Sequence, residues 1–413
     1  MKYKELLLNN DYWQKSFNRL ISKEHISHEA IDELTKLVSY EKESIVNDLV
    51  TGRYNWDIPR KLLISKHGTT KKRTVYIYSY KDRLVQGVLY RVLGDIYSNE
   101  VSNLCYSYKS SVTTTTAVKF LRDNRTVESQ GVKIDIHAYF NSVSIERLRE
   151  IYDDLFKNSD LAETMKVLLF RNKVVYRNKV EDEYMGLIPG SPISSFFANY
   201  CLKDCDKYFE ERGILYARYS DDIVILADSK DKLKEYLNVI KSYLDKYKLE
   251  INPDKYMWFD AGDSVDFLGL KLRSDGKIDL SDHSVKKLKK QIHRWCKKGR
   301  VIMERDKVPF EVEAEKVFKM LNSKNFKCYI KNESTFGWCH YAFRHITTID
   351  SLIVLDQYTK DTIRAMYTGK HNKANARHLQ NGELEELGYV SLVELYKLYI
   401  KDFDYYCEVI ELI

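Results

Sequence analysis

The chain has 413 residues, 44% of them hydrophobic, enough for two or three cored domains, which excludes a mainly disordered protein. A net charge of +7 is too small to name a partner by itself, so local basic runs must do so. Seven scattered cysteines form no CxxC pair, which argues against a zinc ribbon or disulfide framework and for a reducing cytoplasm; no signal-peptide core or membrane-length apolar run leads to an expectation of a cytoplasmic protein without a membrane partner.

Residues 1–55 read as an N-terminal helical extension, with Ser27 opening a helix-spaced series through Ile31, Leu34, Leu37 and Val38. From 56 to 275, short β-rich runs (Thr74–Tyr78, Val132–Ile136, Asp222–Leu226) mix with helical segments, the pattern of an α+β domain. From 276 to 413, helix-spaced apolar residues such as Leu352, Leu355, Tyr358, Ile363 and Met366 predict a helical C-terminal domain.

Asp135 is the one acid in its apolar run, and a carboxylate there needs a partner, for which a cation is the natural choice. Two largely apolar runs, Ile214–Tyr219 and Ile223–Leu226, are joined by Ser220-Asp221-Asp222, which predicts a tight hairpin with acids at its tip. An Asp-rich surface turn would carry the same tetrapeptide. Phosphoryl transfer explains the acids better: two Mg²⁺ ions roughly 3.5–4 Å apart need hard oxygens converging from separate strands.

Other segments bear their own patterns. Lys66–Ile77 is basic and turn-rich before a strand. Gly186–Ser194 is a Gly/Pro/Ser loop whose backbone can approach a nucleotide closely, or simply a connection. Lys255 lies in Leu249–Lys255, where a solvated surface lysine is an equal reading. Val265–Leu270 contains Phe267-Leu268-Gly269, equally readable as a buried strand with a glycine bulge. Between 286 and 300 stand eight cations in fifteen residues, with Leu288, Ile292 and Trp295 marking a buried helix face. Such a face can be merely solvated, or can track a phosphate backbone.

In this order the segments resemble reverse transcriptases of the group II intron and retron kind. Asp135-Ile136-His137-Ala138-Tyr139-Phe140 is similar to the family's first acid followed by an aromatic, Tyr219-Ser220-Asp221-Asp222 to its Y-x-D-D box, and Phe267-Leu268-Gly269 to its primer-grip F-L-G. The Gly186–Ser194 loop departs from the family's pattern: its proline is shifted by one, and Ile188-Pro189 leave no polar residue before Gly190.

The resemblance implies an α+β right-hand polymerase, with fingers and an antiparallel palm sheet plus helices, followed by an all-α thumb and C-terminal domain. It implies Asp135, Asp221 and Asp222 as catalytic residues. With Ile136 they would bind two Mg²⁺ ions, for which Mn²⁺ could substitute. Arg73, Lys71, Lys66, Phe140, Gly190, Ser191 and Lys255 would contact the nucleotide, Phe140 as a steric gate against the ribose 2′-hydroxyl. Tyr219, Phe267, Leu268, Gly269, Lys286, Lys290 and Arg294 would contact primer and template. The implied activity is RNA-directed DNA synthesis from dNTPs, most like bacterial abortive-infection or defence-associated enzymes. Implied partners are a noncoding RNA template or scaffold, the DNA product, and a second copy or a protein encoded nearby. Template-independent synthesis, protein-primed synthesis, and a maturase-like RNA-binding scaffold are the alternatives.

Overall fold

The computed structural model describes residues 2–23, 26–65, 72–109, 112–184, 186–322, 330–331, 334–335 and 338–412. The chain divides into two compact units, residues 1–261 and 262–413. This division differs from the expected boundaries at 55 and 275. Residues 1–55 are not a separate extension, because their helices (Asn10–Lys23, His28–Lys36 and Lys42–Val50 among them) carry apolar stripes that need covering. Trp13, Leu34, Val46 and Leu49 join the same buried cluster as Leu84, Leu89, Ile134 and Ile223. The Trp13 indole is fully enclosed and donates to the Leu7 carbonyl at 2.7 Å.

The first unit holds two four-stranded sheets. Strands β1 (Arg60–Ser65) and β2 (Lys72–Ile77) pair antiparallel from Arg60↔Ile77 to Ser65↔Lys72. The central strand of the other sheet is β3 (Gln130–Asp135). Strands β4 (Lys173–Tyr176) and β5 (Lys179–Asp182) form a hairpin that adds to β1, giving the order β2-β1-β4-β5. Both turn residues of this hairpin, Arg177 and Asn178, have positive φ, the geometry that follows the right-handed twist of two-residue hairpins.

The second sheet combines β3 with β6 (Tyr216–Tyr219), β7 (Asp222–Ala227) and β8 (Met257–Phe259), in the order β6-β7-β3-β8 with all pairings antiparallel. Ile223, Val224, Ile225 and Leu226 are all buried, so β7 is covered on both faces. The helix Lys230–Lys246, capped by Ser229, contributes Leu233, Leu237, Ile240 and Leu244 to this core. Gly131 is required where it stands, since a Cβ there would lie 2.0 Å from the Phe259 ring and 2.6 Å from Leu226. The ring crosses β3 at that point and closes the sheet against β8.

The second unit opens with β9 (Val265–Phe267), β10 (Leu270–Leu272) and β11 (Ile278–Leu280), an antiparallel sheet ordered β11-β10-β9. Leu268 and Gly269 form the β9–β10 turn, both with positive φ. Among the described residues the remainder is mainly helical apart from a short ladder between Ile330–Lys331 and Ser334–Thr335, so strands occur past 275, in the span expected to be all-α. Its first helix, Asp282–Asp306, buries Leu288, Ile292 and Trp295 and exposes Lys286, Lys290 and Arg294, the division read from the sequence. Among the described residues no helix is long and apolar enough to cross a membrane.

Candidate active site

Asp135 ends β3 and lies in register with Asp222, the first residue of β7. The β6–β7 turn is Ser220-Asp221, and Ser220 takes the left-handed conformation that so tight a reversal requires (φ 61°). Beyond the last strand pair, the Ile136 amide donates to the Asp221 carbonyl at 3.0 Å, which fixes the turn beside the end of β3. On the other side, the Asn252 amide donates to the Asp135 carbonyl at 2.7 Å and the His137 amide to the Glu250 carbonyl at 2.8 Å. Backbone from three places thus holds Asp135 in position.

The carboxylates are crowded and partly dehydrated. Burial, then the charge of Asp135, raises the pKa of Asp221. Burial also pushes Asp222 up to about 6, with Lys133 opposing the shift and Asp221 and Asp135 adding to it. Two lysines balance these charges. Lys255 Nζ donates to Asp135 Oδ2 at 2.6 Å, and Lys133 Nζ lies 3.1 Å from Asp222 Oδ2. Burial works against the Lys255 ammonium, but its hydrogen bond and charge interaction with Asp135 prevail and raise its pKa. Asn252 Nδ2 donates to the other Asp135 oxygen at 3.2 Å, whereas Asp222 Oδ1 is buried without a hydrogen-bond partner.

Under the hairpin lies an enclosed polar network. Arg218 is 0% exposed; its Nε donates to Asp206 Oδ1 at 2.7 Å and its Nη1 to the Ser220 carbonyl at 3.0 Å. The Tyr216 hydroxyl donates to the same Asp206 oxygen at 2.8 Å. The Ser220 amide donates to Ser107 Oγ at 2.9 Å, and that hydroxyl donates to Asn199 Oδ1 at 3.0 Å. A left-handed serine is thereby gripped at both its amide and its carbonyl.

Asp135, Phe140, Gly190, Ser191, Asp221 and Lys255 line one cavity of about 1210 Å³, larger than a typical small-molecule pocket. Lys72, Tyr76, Arg83 and Tyr108 line it too. Phe140, in the short helix Tyr139–Ser142, meets Tyr108 edge-on with ring centroids 6.3 Å apart, and Tyr108 in turn lies 6.4 Å from Tyr219. The Gly186–Ser194 loop is tied to this helix by the Leu187 amide, which donates to the Phe140 carbonyl at 3.1 Å. Gly190 (φ +96°) presses on β2, where a Cβ would come within 2.9 Å of the Tyr76 carbonyl oxygen. The Ser191 hydroxyl donates to Gln86.

Other expected site residues lie elsewhere or outside view. Ile136 is buried just beyond the end of β3. Arg73 lies on β2 opposite Ile64, and its side chain, like Lys66 and Lys71, lies outside the described residues. Phe267, Leu268 and Gly269 form the end and turn of the β9–β10 hairpin, and Lys286, Lys290 and Arg294 are exposed positions of one helix, all within the second unit. Sequence reading missed Lys133 and the Asp206–Arg218 pair, whereas Tyr108 and Gln86 lie in Cys105–Lys109 and Asp82–Gln86, two segments that resemble the family's template-path and helix-start segments. Two signals were available: Lys133 alternates with Asp135 onto the same face of β3, and Arg218 is a charge inside an apolar run.

The donor set fits a divalent cation: hard carboxylate oxygens, one of them buried and unpartnered, whose mutual repulsion a cation would relieve. Among the described residues, however, no three His, Cys, Asp or Glu side chains converge closely enough to hold an ion.

The antiparallel sheet thus carries acids at the apposed ends of β3 and β7. Residues 64–272, just over half of the chain, match the family model described as reverse transcriptase (RNA-dependent DNA polymerase), and the chain belongs to that family. Its relatives include an uncharacterized 91 kDa protein in the cob intron of Schizosaccharomyces pombe, 24% identical over 50% of this chain and 26% of that protein. The retron Ec83 reverse transcriptase of Escherichia coli is 25% identical over 39% of this chain and 54% of that enzyme. The retron Ec73 reverse transcriptase, also from E. coli, is 24% identical over 58% of this chain and 73% of that enzyme. The matched region thus spans about half or less of the first two relatives.

Proposed function

We propose that the protein is an RNA-directed DNA polymerase that builds DNA from dNTPs on a bound noncoding RNA, in the cytoplasm, as part of antiphage defence. The observation that carries the polymerase reading is the meeting of Asp135, at the end of β3, with Asp221, in the β6–β7 turn, in the wall of a cavity that also presents Phe140. Asp135, Asp221, Asp222 and the Ile136 carbonyl would hold Mg²⁺ ions, or Mn²⁺ in their place, which when bound neutralise phosphate charge and activate a 3′-hydroxyl.

The chain's own residues supply the remainder. Lys255, already paired with Asp135, stands where it can offset developing negative charge on a departing pyrophosphate. Phe140 occupies the space of a ribose 2′-hydroxyl, which sets the preference for dNTPs. Gly190 lets the backbone approach the nucleotide, while Ser191, bonded to Gln86, keeps the loop in place. Arg73, Lys71 and Lys66 are assigned to the triphosphate. The phosphate backbones of primer and template are assigned to Tyr219, the Phe267-Leu268-Gly269 turn and the basic face of Lys286, Lys290 and Arg294. The defence role and the noncoding RNA rest on the retron relatives and on the resemblance to defence-associated enzymes.

The test is to purify the protein from its host and sequence both the RNA and the DNA that accompany it. One defined RNA with DNA complementary to it is expected; DNA unrelated to any bound RNA would refute templated synthesis.

A further inference from the structure

The three acids of the site are not held alike. Asp135 and Asp221 approach closely enough to interact directly, and Asp135 is steadied by Asn252 and Lys255. Asp222 is engaged from the opposite direction by Lys133, its Oδ2 lying 3.1 Å from the ammonium while its Oδ1 remains buried and unpartnered. Lys133 and Asp135 are two residues apart on β3, so both side chains emerge on one face, and Asp222 lies across from Asp135 in register. The lysine therefore competes for the same carboxylate that a cation beside Asp135 would recruit. Consistent with this, no three acids among the described residues converge as a ready ion site.

We propose that Lys133 is a positioning residue, a resident counter-ion that reserves Asp222, so that the third carboxylate joins the metal set only by exchanging an ammonium for a divalent cation. This inference rests on the nucleotidyl-transfer reading of the site. Binding would then be sequential: a first cation on the Asp135–Asp221 pair, and a weaker second one that must displace Lys133. The Lys133–Asp222 pair is part-exposed, the two side chains 20% and 21% exposed, so the exchange is open to solvent cations. An ammonium is a point charge without a fixed coordination requirement, which suits it to hold a carboxylate and to release it.

The probe is Mn²⁺ alone, titrated into the full chain without nucleotide or nucleic acid and followed by electron paramagnetic resonance of the free ion. In Lys133→Met the weaker binding step should tighten by about tenfold, the scale of one modest ion pair, while the stronger step stays nearly constant. Lys133→Arg, which keeps the charge, should bind like the wild type. In Lys133→Met combined with Asp222→Asn the gain should vanish. With circular dichroism confirming that each variant is folded, an unchanged weak step in Lys133→Met would overturn the proposal. Equal tightening of both steps would overturn it as well, since that is a general field effect. So would a gain that survives Asp222→Asn. None of these readouts requires catalysis, so a protein that bound Mn²⁺ as described yet extended no primer would refute the polymerase reading alone.

Discussion

Asp206 and Arg218 form an ion pair in which both side chains are 0% exposed, and the arginine carries the pair's grip to the Ser220 carbonyl at the β6–β7 turn. Removing one partner leaves a charge sealed away from water, which is costlier than removing both. Arg218→Met should therefore lower unfolding free energy by about 3–5 kcal/mol, and the double replacement Arg218→Met with Asp206→Leu should recover part of that loss. Urea unfolding at neutral pH measures both; a single-variant cost below about 1 kcal/mol would show that the pair is solvated in solution.

The raised pKa of Asp222 sets a pH signature. Its ordinary value is 3.8 and its folded value about 6, so between those values the folded protein binds the extra proton and loses stability as pH rises. Asp222→Asn should thus stabilise the metal-free protein by about 2 to 3 kcal/mol at pH 8 and have little effect near pH 4. Thermal melts in chelator at the two pH values check this, and a stabilisation independent of pH would point to packing instead.

Gly190 has φ +96°, and a Cβ there would lie 2.9 Å from the Tyr76 carbonyl oxygen on β2. Gly190→Ala should cost about 1–3 kcal/mol and displace the loop from that strand. Weaker dNTP binding in single-nucleotide addition should accompany the loss; full affinity would remove Gly190 from the nucleotide site.

Phe140 lines the cavity against Tyr108. Phe140→Ala should raise rNTP incorporation relative to dNTP by about tenfold or more, the range that shape discrimination in a pocket supplies. Competition between the two sugars in one reaction reads it, and unchanged discrimination would cancel the gate assignment.

The acids of β3 and the β6–β7 turn were legible because their signals are local. An acid in an apolar run and two acids between two such runs need no knowledge of distant chain, and both fell at paired strand ends. What depends on packing was not legible. Asp206 sits on the helix Lys203–Glu211 and Arg218 on β6, and only the fold brings them together. Lys133 looked like an ordinary alternating strand residue until the register set Asp222 across from Asp135. The helices of the first 55 residues were visible as amphipathic stripes, but periodicity does not say what covers a stripe, and here it is the common core. The Gly186–Ser194 loop was readable as a loop, whereas its contact with the Tyr76 carbonyl joins residues more than a hundred positions apart in sequence.

Primer extension tests the central claim most directly. The full chain is given an RNA template annealed to a DNA primer, dNTPs and Mg²⁺, and is compared with the Asp221→Ala, Asp222→Ala double variant. Template-ordered extension by the wild type, none by the variant, and equal RNA binding by both is the predicted result. Extension that survives in the double variant, or a wild-type protein that binds the duplex and adds no nucleotide, would contradict it.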